Sequence, residues 1–298
     1  MDLEMFILLG IPQTEGLETV LFVIFSFIYL FILLGNSLIL VAIISSSTLH
    51  TPVYVFLGLL SIFGMLFPSV MLAYLSGQSQ VISFKGCAAQ LFFYHILGCT
   101  EGCLYSVMAY DPFVAICHPL GYLLIMKPGV CLGLVVITWL VGCLHATILT
   151  SFTFRLSYCG PNQVEYFFCD IPAVLPLAYT DSRVGSINVA FLALMLLFSV
   201  CVSYTRIGIA ILRIRSAEGR QKAFSTCSSH LTAILCAYGP VIIIYLQPTP
   251  NPLLGAVVQI LNNVVSPMLN SLIYSLRNKE VKRSLKKVFQ NVILTVGE

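Results

Sequence analysis

The sequence predicts an all-α integral membrane protein, a bundle of seven transmembrane helices, and two observations support this. Hydrophobic residues make up 58% of the 298-residue chain and charged residues only 9%, too few to cover a water-soluble globule of this size. Apolar segments also recur seven times, each long enough to cross a hydrocarbon core of ~30 Å, which needs ~20 helical residues. Seven crossings place the two chain ends on opposite sides of the membrane.

The apolar segments run through the whole chain and predict a single membrane domain, 1–298, without repeats or a soluble module. They lie at 20–44, 52–75, 91–117, 130–149, 187–205, 223–246 and 253–276. The remaining parts are a terminal segment at 1–19, a long connection at 151–183 and a tail at 277–298.

Lysine and arginine residues predict the orientation, because cationic loops remain in the cytoplasm. With the N-terminus outside, the inner side holds twelve of these cations and the outer side only three, Lys85, Arg155 and Arg183. The segment 1–19 and the connection 151–183 are then extracellular, and the tail is cytoplasmic. The net charge of +3 is explained by this bias, so no nucleic-acid partner is expected.

The cytoplasmic tail contains an amphipathic stretch. Val281, Leu285, Val288 and Phe289 are apolar among lysines, which is typical of a short helix lying on the membrane surface. The basic residues here and from Arg213 to Lys222 would meet anionic lipid or a protein partner, or form a plain solvated surface.

Motifs along nearly the whole chain resemble those of olfactory receptors, the largest branch of the rhodopsin-like (class A) G-protein-coupled receptors. The chief ones are LHTPVY at 49–54, MAYD at 108–111, FFCDIP at 167–172, KAFSTCSSHL at 222–231 and PMLNSLIYSLRN at 267–278. The resemblance implies an odorant receptor of the plasma membrane, in olfactory neuron cilia, that needs no cofactor. It also implies four kinds of partner: a small hydrophobic odorant, the olfactory stimulatory G protein that raises cyclic AMP, receptor export accessory proteins, and membrane lipid.

The resemblance also implies residues for signalling. They are Asp111, Pro112, Tyr204, Lys222, Ser225, His230, Asn270 and Tyr274. Pro112 stands where the family has arginine, so the cation that should engage the G protein is missing. A proline inside a helix costs ~3 kcal/mol, a cost that is tolerated if the third helix already ends here.

Further departures from the family pattern leave a second hypothesis open. Ser271 replaces the proline of an Asn-Pro-x-x-Tyr pattern, and Gly64 falls where the family carries a buried aspartate. The alternative is therefore a folded but signalling-impaired receptor, or the product of a decaying gene.

Two of the eleven cysteines differ from the others, which lie mostly inside helices. Cys87 opens the third span on the outer side and Cys169 lies in the connection 151–183, both in an oxidising compartment. The resemblance implies that they form a disulfide that ties this connection over the bundle as a lid. The family partner of Cys159 is replaced by Tyr179, so Cys159 is expected to be a free thiol.

The resemblance places a ligand site under the lid, between the third, fifth, sixth and seventh spans. The expected lining residues are Tyr94, His95, Gly98, Cys99, Gly102, Asn188, Val189, Leu192, Tyr238, Val241, Ile242, Tyr245, Ile260 and Asn263. No carboxylate or permanent cation projects from these positions, so small, mostly apolar neutral molecules fit best. Simple helix packing is the alternative role for each residue.

The sequence gives weaker support for metal binding, transport or catalysis. His95, Cys99 and Cys103 follow four-residue steps that could present ligands to a soft metal ion, but small residues on one helix face more commonly allow close packing. No metal is therefore expected. Transport is disfavoured because the halves of the chain do not repeat. No spacing of His, Asp or Glu assembles a catalytic site, so the chain is not expected to be an enzyme.

Overall fold

The computed structural model describes residues 4–11, 16–77, 80–158, 162–178, 188, 190–191, 204–214, 216–245, 252–265, 267–268 and 279–296. The long helices are α1 Glu18–Ser45, α2 Pro52–Leu75, α3 Phe84–Cys117, α4 Pro128–Phe154, α5 Thr205–Arg213, α6 Ala217–Tyr245, α7 Pro252–Ile260 and α8 Lys279–Val296. A π-helical stretch, Leu261–Val265, extends α7. Single turns lie at Ser47–Leu49, Pro119–Gly121, Tyr122–Ile125, Ile171–Val174 and Leu175–Leu177.

Helices α1, α2 and α4 follow the predicted spans closely. The described part of the fifth helix, Thr205–Arg213, begins where the predicted span at 187–205 ends. Helix α2 has the predicted bounds, whereas α3 begins at Phe84, ahead of the apolar segment. It begins there because Ser83 is its N-cap: the hydroxyl oxygen accepts a hydrogen bond from the backbone N–H of Gly86 at 3.0 Å. Most of the predicted fifth span and the end of the seventh lie outside the described residues.

The third helix does not end at Pro112. It continues to Cys117, and the backbone N–H of His118 still donates to the carbonyl of Val114 at 2.9 Å. The condition under which the proline would be tolerated, a helix that already ends there, is therefore not met. Proline has no N–H to donate to the carbonyl of Met108, so one hydrogen bond is absent inside a continuous helix.

The helices pack lengthwise and leave apolar side chains on the outside. Helix α3 packs along α4, and α1 packs along α2 and α8. On α1, Phe27 is 61% exposed and Phe31 is 68% exposed, an arrangement that suits contact with lipid rather than with water. By length and hydropathy, two of the described helices could each cross a membrane, Thr19–Ser45 and Pro128–Phe154.

A small β-sheet joins one end of the bundle and was not predicted by the all-α assignment. Strands β1 (Met5–Leu8), β2 (Val81–Ser83) and β3 (Gln163–Val164) form it in the order β2-β1-β3. β1 pairs antiparallel with β2 and parallel with β3. We call the end of the bundle with this sheet the lid end, and the end that carries Asp111 and α8 the tail end.

The sheet is held by the side chains of β1 as well as by its backbone. Phe6 is completely buried, and its ring centroid lies 5.9 Å from those of both Phe84 and Tyr158. The N-terminal segment is therefore packed into the lid end. Burial raises the pKa of the Tyr158 hydroxyl, which donates to the carbonyl of Thr153 at 2.9 Å.

Replacing Phe6 with alanine should lower stability and the amount of receptor at the cell surface, because emptying a buried aromatic site costs ~3–5 kcal/mol. Surface staining and thermal unfolding in detergent measure this. Met5→Ala is the matched control, since Met5 directly precedes Phe6 in the same strand and is 55% exposed. Equal losses in the two variants would contradict the packing of β1.

Helix α8 confirms the amphipathic helix predicted in the tail. Val281 is completely buried, and the Ser284 hydroxyl donates to the carbonyl of Ala42 in α1 at 3.0 Å. Lys282, Arg283 and Lys286 are exposed on other faces. The helix is thus fixed to the tail end of α1 by its apolar side.

Gly64 lies where α2 meets the first and seventh spans. A Cβ atom at this position would lie 3.1 Å from Cβ of Pro267 and 3.5 Å from the amide nitrogen of Asn36. The contact with Pro267 is tighter than ordinary van der Waals packing. The absence of a side chain therefore allows the spans to approach closely here.

Candidate functional site

A disulfide bond ties the lid to the start of α3. Cys87 and Cys169 are joined, as the resemblance implied. The backbone N–H of Cys169 also donates to the side-chain oxygen of Gln90, one turn further along α3, at 2.8 Å. These two links hold the chain around Cys169 over the end of the bundle. Cys159 lies outside the described residues.

Asp170 follows the disulfide and connects the lid to two helices. Its carboxylate is completely buried. One oxygen accepts from the backbone N–H of Ile171 at 2.8 Å, and the other accepts from the side-chain amide of Gln259 in α7 at 2.7 Å. The first oxygen also lies 3.4 Å from Nε2 of His95 in α3. A buried carboxylate needs such partners, so Asp170 fixes the lid against both α3 and α7.

Tyr94 extends the polar network across α3 and α7. Its hydroxyl lies 2.9 Å from the side-chain oxygen of Gln259 and 3.1 Å from that of Asn263, so its proton is shared between two acceptors. The ring centroid of Tyr94 lies 4.9 Å from that of Phe168 in the lid. Lid, α3 and α7 therefore meet at one polar cluster with an aromatic roof.

A second polar pair lies beside this cluster and consists of His145 of α4 and Asn188. Nε2 of His145 is 3.1 Å from the side-chain oxygen of Asn188. The His145 ring stacks at 4.1 Å on Phe191, and it lies 6.0 Å from the ring of His95. Asn188 is only 2% exposed, so the residue predicted to touch ligand is engaged in helix packing in this structure.

Two glycines of α3 have different surroundings. A Cβ added at Gly98, one turn from Tyr94 and His95, would meet no described atom within 4 Å. One turn further, a Cβ at Gly102 would overlap the hydroxyl of Tyr238 in α6. Gly102 therefore makes room for Tyr238, whereas a Cβ at Gly98 would meet none of the described atoms.

The structure brings together three of the predicted lining residues, Tyr94, His95 and Asn263, in the polar cluster. Gly98 lies one turn further along α3, and Cys99 and Tyr238 are buried. Ile242 is half-buried, and Ile260 packs against the lid core. Val189, Leu192 and the side chains of Val241 and Tyr245 lie outside the described residues.

Sequence reasoning missed Asp170 and Gln259. The FFCDIP motif includes Asp170 and was used only to recognise the family, although an acid next to a cysteine of a lid is a signal in itself. Gln259 had no such signal, because its role depends on the approach of α7 to the lid.

The described residues offer no cluster of three or more His, Cys, Asp or Glu side chains that could hold a metal ion. The arrangement of His95, Cys99 and Cys103 does not assemble one. Glu101, on another face of α3, instead accepts a hydrogen bond from the Tyr105 hydroxyl at 3.2 Å.

At the tail end, Asp111 accepts a hydrogen bond from the Tyr122 hydroxyl at 2.7 Å. Burial raises the pKa of Tyr122, and the bond to Asp111 raises it further. Tyr204 packs beside Phe113, while Ser225 is exposed on α6. Four other predicted signalling residues or their side chains lie outside the described part of the chain, and so does the side chain of Pro112. These four are Lys222, His230, Asn270 and Tyr274.

Long apolar helices that are closed at one end by a disulfide-tied lid over a buried polar cluster are the architecture of seven-helix membrane receptors. The olfactory receptor family matches residues 25–292. The chain belongs to that family, a branch of the rhodopsin-like G-protein-coupled receptors, whose members are signalling receptors and not enzymes. The fold is thus the seven-transmembrane bundle that the sequence predicted.

Individual relatives match over nearly the full length. Olfactory receptor 10N1 of Mus musculus is 81% identical, covering 97% of this chain and 96% of its own. Putative olfactory receptor 10D4 of Homo sapiens is 66% identical over 93% of this chain and 96% of its own. Olfactory receptor 10D3 of Mus musculus is 62% identical over 95% of this chain and 93% of its own.

Proposed function

We propose that this chain is an odorant receptor that binds small, mostly apolar molecules at the lid end and activates a stimulatory G protein at the tail end. The observation that carries the proposal is the buried polar cluster of Tyr94, Asp170 and Gln259 beneath a disulfide-tied lid, in a chain of the olfactory receptor family. Signalling then raises cyclic AMP.

The receptor crosses the plasma membrane several times with its lid end outside, as a single domain. Two observations support this orientation. The disulfide of Cys87 and Cys169 suits an oxidising compartment, and the cations are concentrated at the tail end. Helix α8 then lies along the inner membrane surface with its lysines toward anionic lipid. The expected location is the cilia of olfactory neurons.

The ligand is small and neutral. Cys99 and the aromatic rings of Tyr94 and Phe168 provide an apolar surface, and hydrogen bonds from the polar cluster set its orientation. Burial of apolar area at ~25 cal/mol per Å² gives a small molecule only modest affinity. Recognition is therefore broad, and the polar contacts decide ranking among similar odorants.

Coupling takes place at the tail end, where Asp111 and Tyr122 join α3 to the turn that follows it. Tyr204, Lys222, Ser225, His230, Asn270 and Tyr274 contribute to activation. Receptor export proteins deliver the chain to the surface. The alternative of a signalling-impaired receptor is not favoured, since relatives as close as 81% identical are named olfactory receptors.

Replacing Gly98 with leucine should weaken the cyclic AMP response of cells that express the receptor with its export factors. A leucine side chain one turn from Tyr94 and His95 should take up part of the proposed ligand site, and a loss of ~1.4 kcal/mol in odorant binding raises the half-maximal odorant concentration about tenfold. Gly133→Leu is the matched control, because Gly133 in α4 also has no described atom within 4 Å of an added Cβ but lies far from the cluster. The response of each variant is corrected for the amount of receptor at the cell surface, which is measured by surface staining. A parent receptor that is silent to a broad odorant panel would refute the function, and equal responses of the two variants would refute the site.

A further inference from the structure

The side chain of Gln259 joins the lid to the third and seventh spans, and it is only 1% exposed. Its amide nitrogen donates to a carboxylate oxygen of Asp170 in the lid at 2.7 Å, and its oxygen lies 2.9 Å from the hydroxyl of Tyr94 in α3. A carboxylate only accepts hydrogen bonds, so it must face the amide nitrogen, which leaves the amide oxygen to accept from Tyr94. Both ends of the amide are therefore used, and a side chain that lacks either end cannot bridge these elements.

Gln259 lies two residues before the π-helical stretch Leu261–Val265. In a π-helix each bonded N–H reaches a carbonyl five residues back rather than four, so the hydrogen-bonded ring encloses one more residue than in an α-helix. If the stretch changed to an α-helix, the rest of the seventh span would turn by ~100°, the angle per residue at 3.6 residues per turn. The stretch packs against α1, α2 and α6, so a change in its backbone would reach three other helices.

Tyr94 contacts both sides of the junction between the α-helical and π-helical parts. Its hydroxyl lies 2.9 Å from the oxygen of Gln259, before the π-helical stretch, and 3.1 Å from the side-chain oxygen of Asn263, within it. Asn263 is 4% exposed. A shift of Gln259 therefore also changes the contact between Tyr94 and the π-helical stretch. A continuous, buried chain of polar contacts thus runs from Asp170 in the lid to Asn263 in the seventh span.

We propose that Gln259 is the positioning residue that couples the lid to the seventh span, so that closing the lid over an odorant and setting the π-helical stretch are one step. The inference rests on the proposed odorant-receptor function and adds the route by which a ligand at the lid end acts on the tail end. A ligand that stabilises the closed lid then also selects the arrangement of the seventh span that goes with it. Without Gln259 the lid opens more often and the stretch loses its tie to the lid.

Hydrogen exchange on the purified full-length receptor, without odorant, tests the coupling directly. Gln259→Met removes both hydrogen bonds and keeps an unbranched side chain that can fill the same space. Backbone amides at 167–171 in the lid and at 261–265 in the seventh span should both exchange about tenfold faster than in the parent, because both segments open more often once the buried bond between them is lost. Faster exchange in the lid alone, or in neither segment, overturns the proposal.

Gln90→Met is the matched control, because Gln90 is also a glutamine that bonds to the lid. Its side-chain oxygen accepts from the backbone N–H of Cys169 at 2.8 Å, but it belongs to α3 and its loss leaves the bond between Asp170 and Gln259 in place. Exchange should rise around Cys169 and stay at the parent rate in 261–265. A rise of equal size in 261–265 would mean that any loosening of the lid disturbs the seventh span, and would overturn the role given to Gln259.

A swap of the two bonded groups separates the hydrogen bond from simple packing. Asp170→Asn alone puts an amide where two N–H groups must be accepted, and Gln259→Glu alone places two carboxylates side by side, so each should show the fast exchange of Gln259→Met. In the double variant the amide nitrogen at position 170 donates to the carboxylate at position 259, and the donors Ile171 and Tyr94 keep their acceptors. Exchange in 261–265 should return to within about twofold of the parent rate. Failure to recover contradicts the coupling.

Cyclic AMP responses connect the coupling to signalling. At matched surface level, Gln259→Met should raise the half-maximal odorant concentration about tenfold, because odorant is held only by the fraction of receptor that closes its lid, and the double variant should recover most of this loss. A merely structural role would lower the amount of surface receptor without moving this concentration, so an unchanged value overturns the proposal. A parent that is silent to a broad odorant panel refutes the proposed function, while the exchange rates decide the coupling between lid and seventh span independently.

Discussion

Replacing Pro112 with arginine should increase odorant-evoked cyclic AMP at matched surface level. The residue lies within α3, which continues to Cys117, so its missing N–H leaves the carbonyl of Met108 without its helical partner. Removing the proline relieves up to ~3 kcal/mol, and the arginine supplies a cation next to Asp111, at the end of the bundle where we propose that the G protein docks. The expected gain is therefore in both stability and coupling.

Two further variants separate these effects. Pro112→Ala restores the backbone N–H without a charge, and should raise surface level and thermal stability with little change in signalling per receptor. Ala115→Arg adds a cation at an exposed position of the same helix. It should raise neither the stability nor the cyclic AMP signal per receptor. Ser271→Pro, in the seventh span, should increase cyclic AMP less than Pro112→Arg does, because serine does not break a helix. If Pro112→Arg gives no gain over a fully active parent, Asp111 and its neighbours suffice for coupling.

Replacing Cys169 with serine should abolish the odorant response and most of the surface receptor. The disulfide joins residues separated by 82 positions, and loss of a native disulfide costs ~2–5 kcal/mol. The loss also frees the chain that carries Asp170, so the polar cluster comes apart. Non-reducing mass mapping should find Cys87 linked to Cys169 in the parent.

Cys143→Ser is the control for this experiment, because Cys143 is a free, exposed cysteine of α4. It should leave surface level and response near the parent values. A peptide that links Cys87 to Cys159 would contradict the pairing, and a normal response of the Cys169→Ser variant would show that the lid needs no covalent tie.

Hydrophobic length was sufficient to predict α1, α2 and α4, because a chain that crosses the membrane must satisfy its backbone hydrogen bonds within a continuous helix. It could not predict the start of α3, which depends on the cap at Ser83. Nor could it predict the sheet, since strands such as Gln163–Val164 are too short to leave a pattern and pair with residues far away in sequence.

The residues of the site were also predictable from the sequence only in part. Of the residues expected to line the site, Tyr94 lies within hydrogen-bond distance of Gln259 in α7, and His95 lies 3.4 Å from Asp170 in the lid. The partners of these residues come from the lid and α7. Asp170 and Gln259 meet them only through tertiary packing, which periodicity within one helix does not report.

Gly64 also limits which side chains the second helix could carry. The resemblance expects an aspartate at this position, and the first atom of any side chain here would lie 3.1 Å from Cβ of Pro267. Pro267 or α2 would have to shift by a few tenths of an ångström to accept it. A carboxylate here would therefore come with looser contact between α2 and the seventh span, so the residue at position 64 and the spacing of these two helices cannot be changed independently.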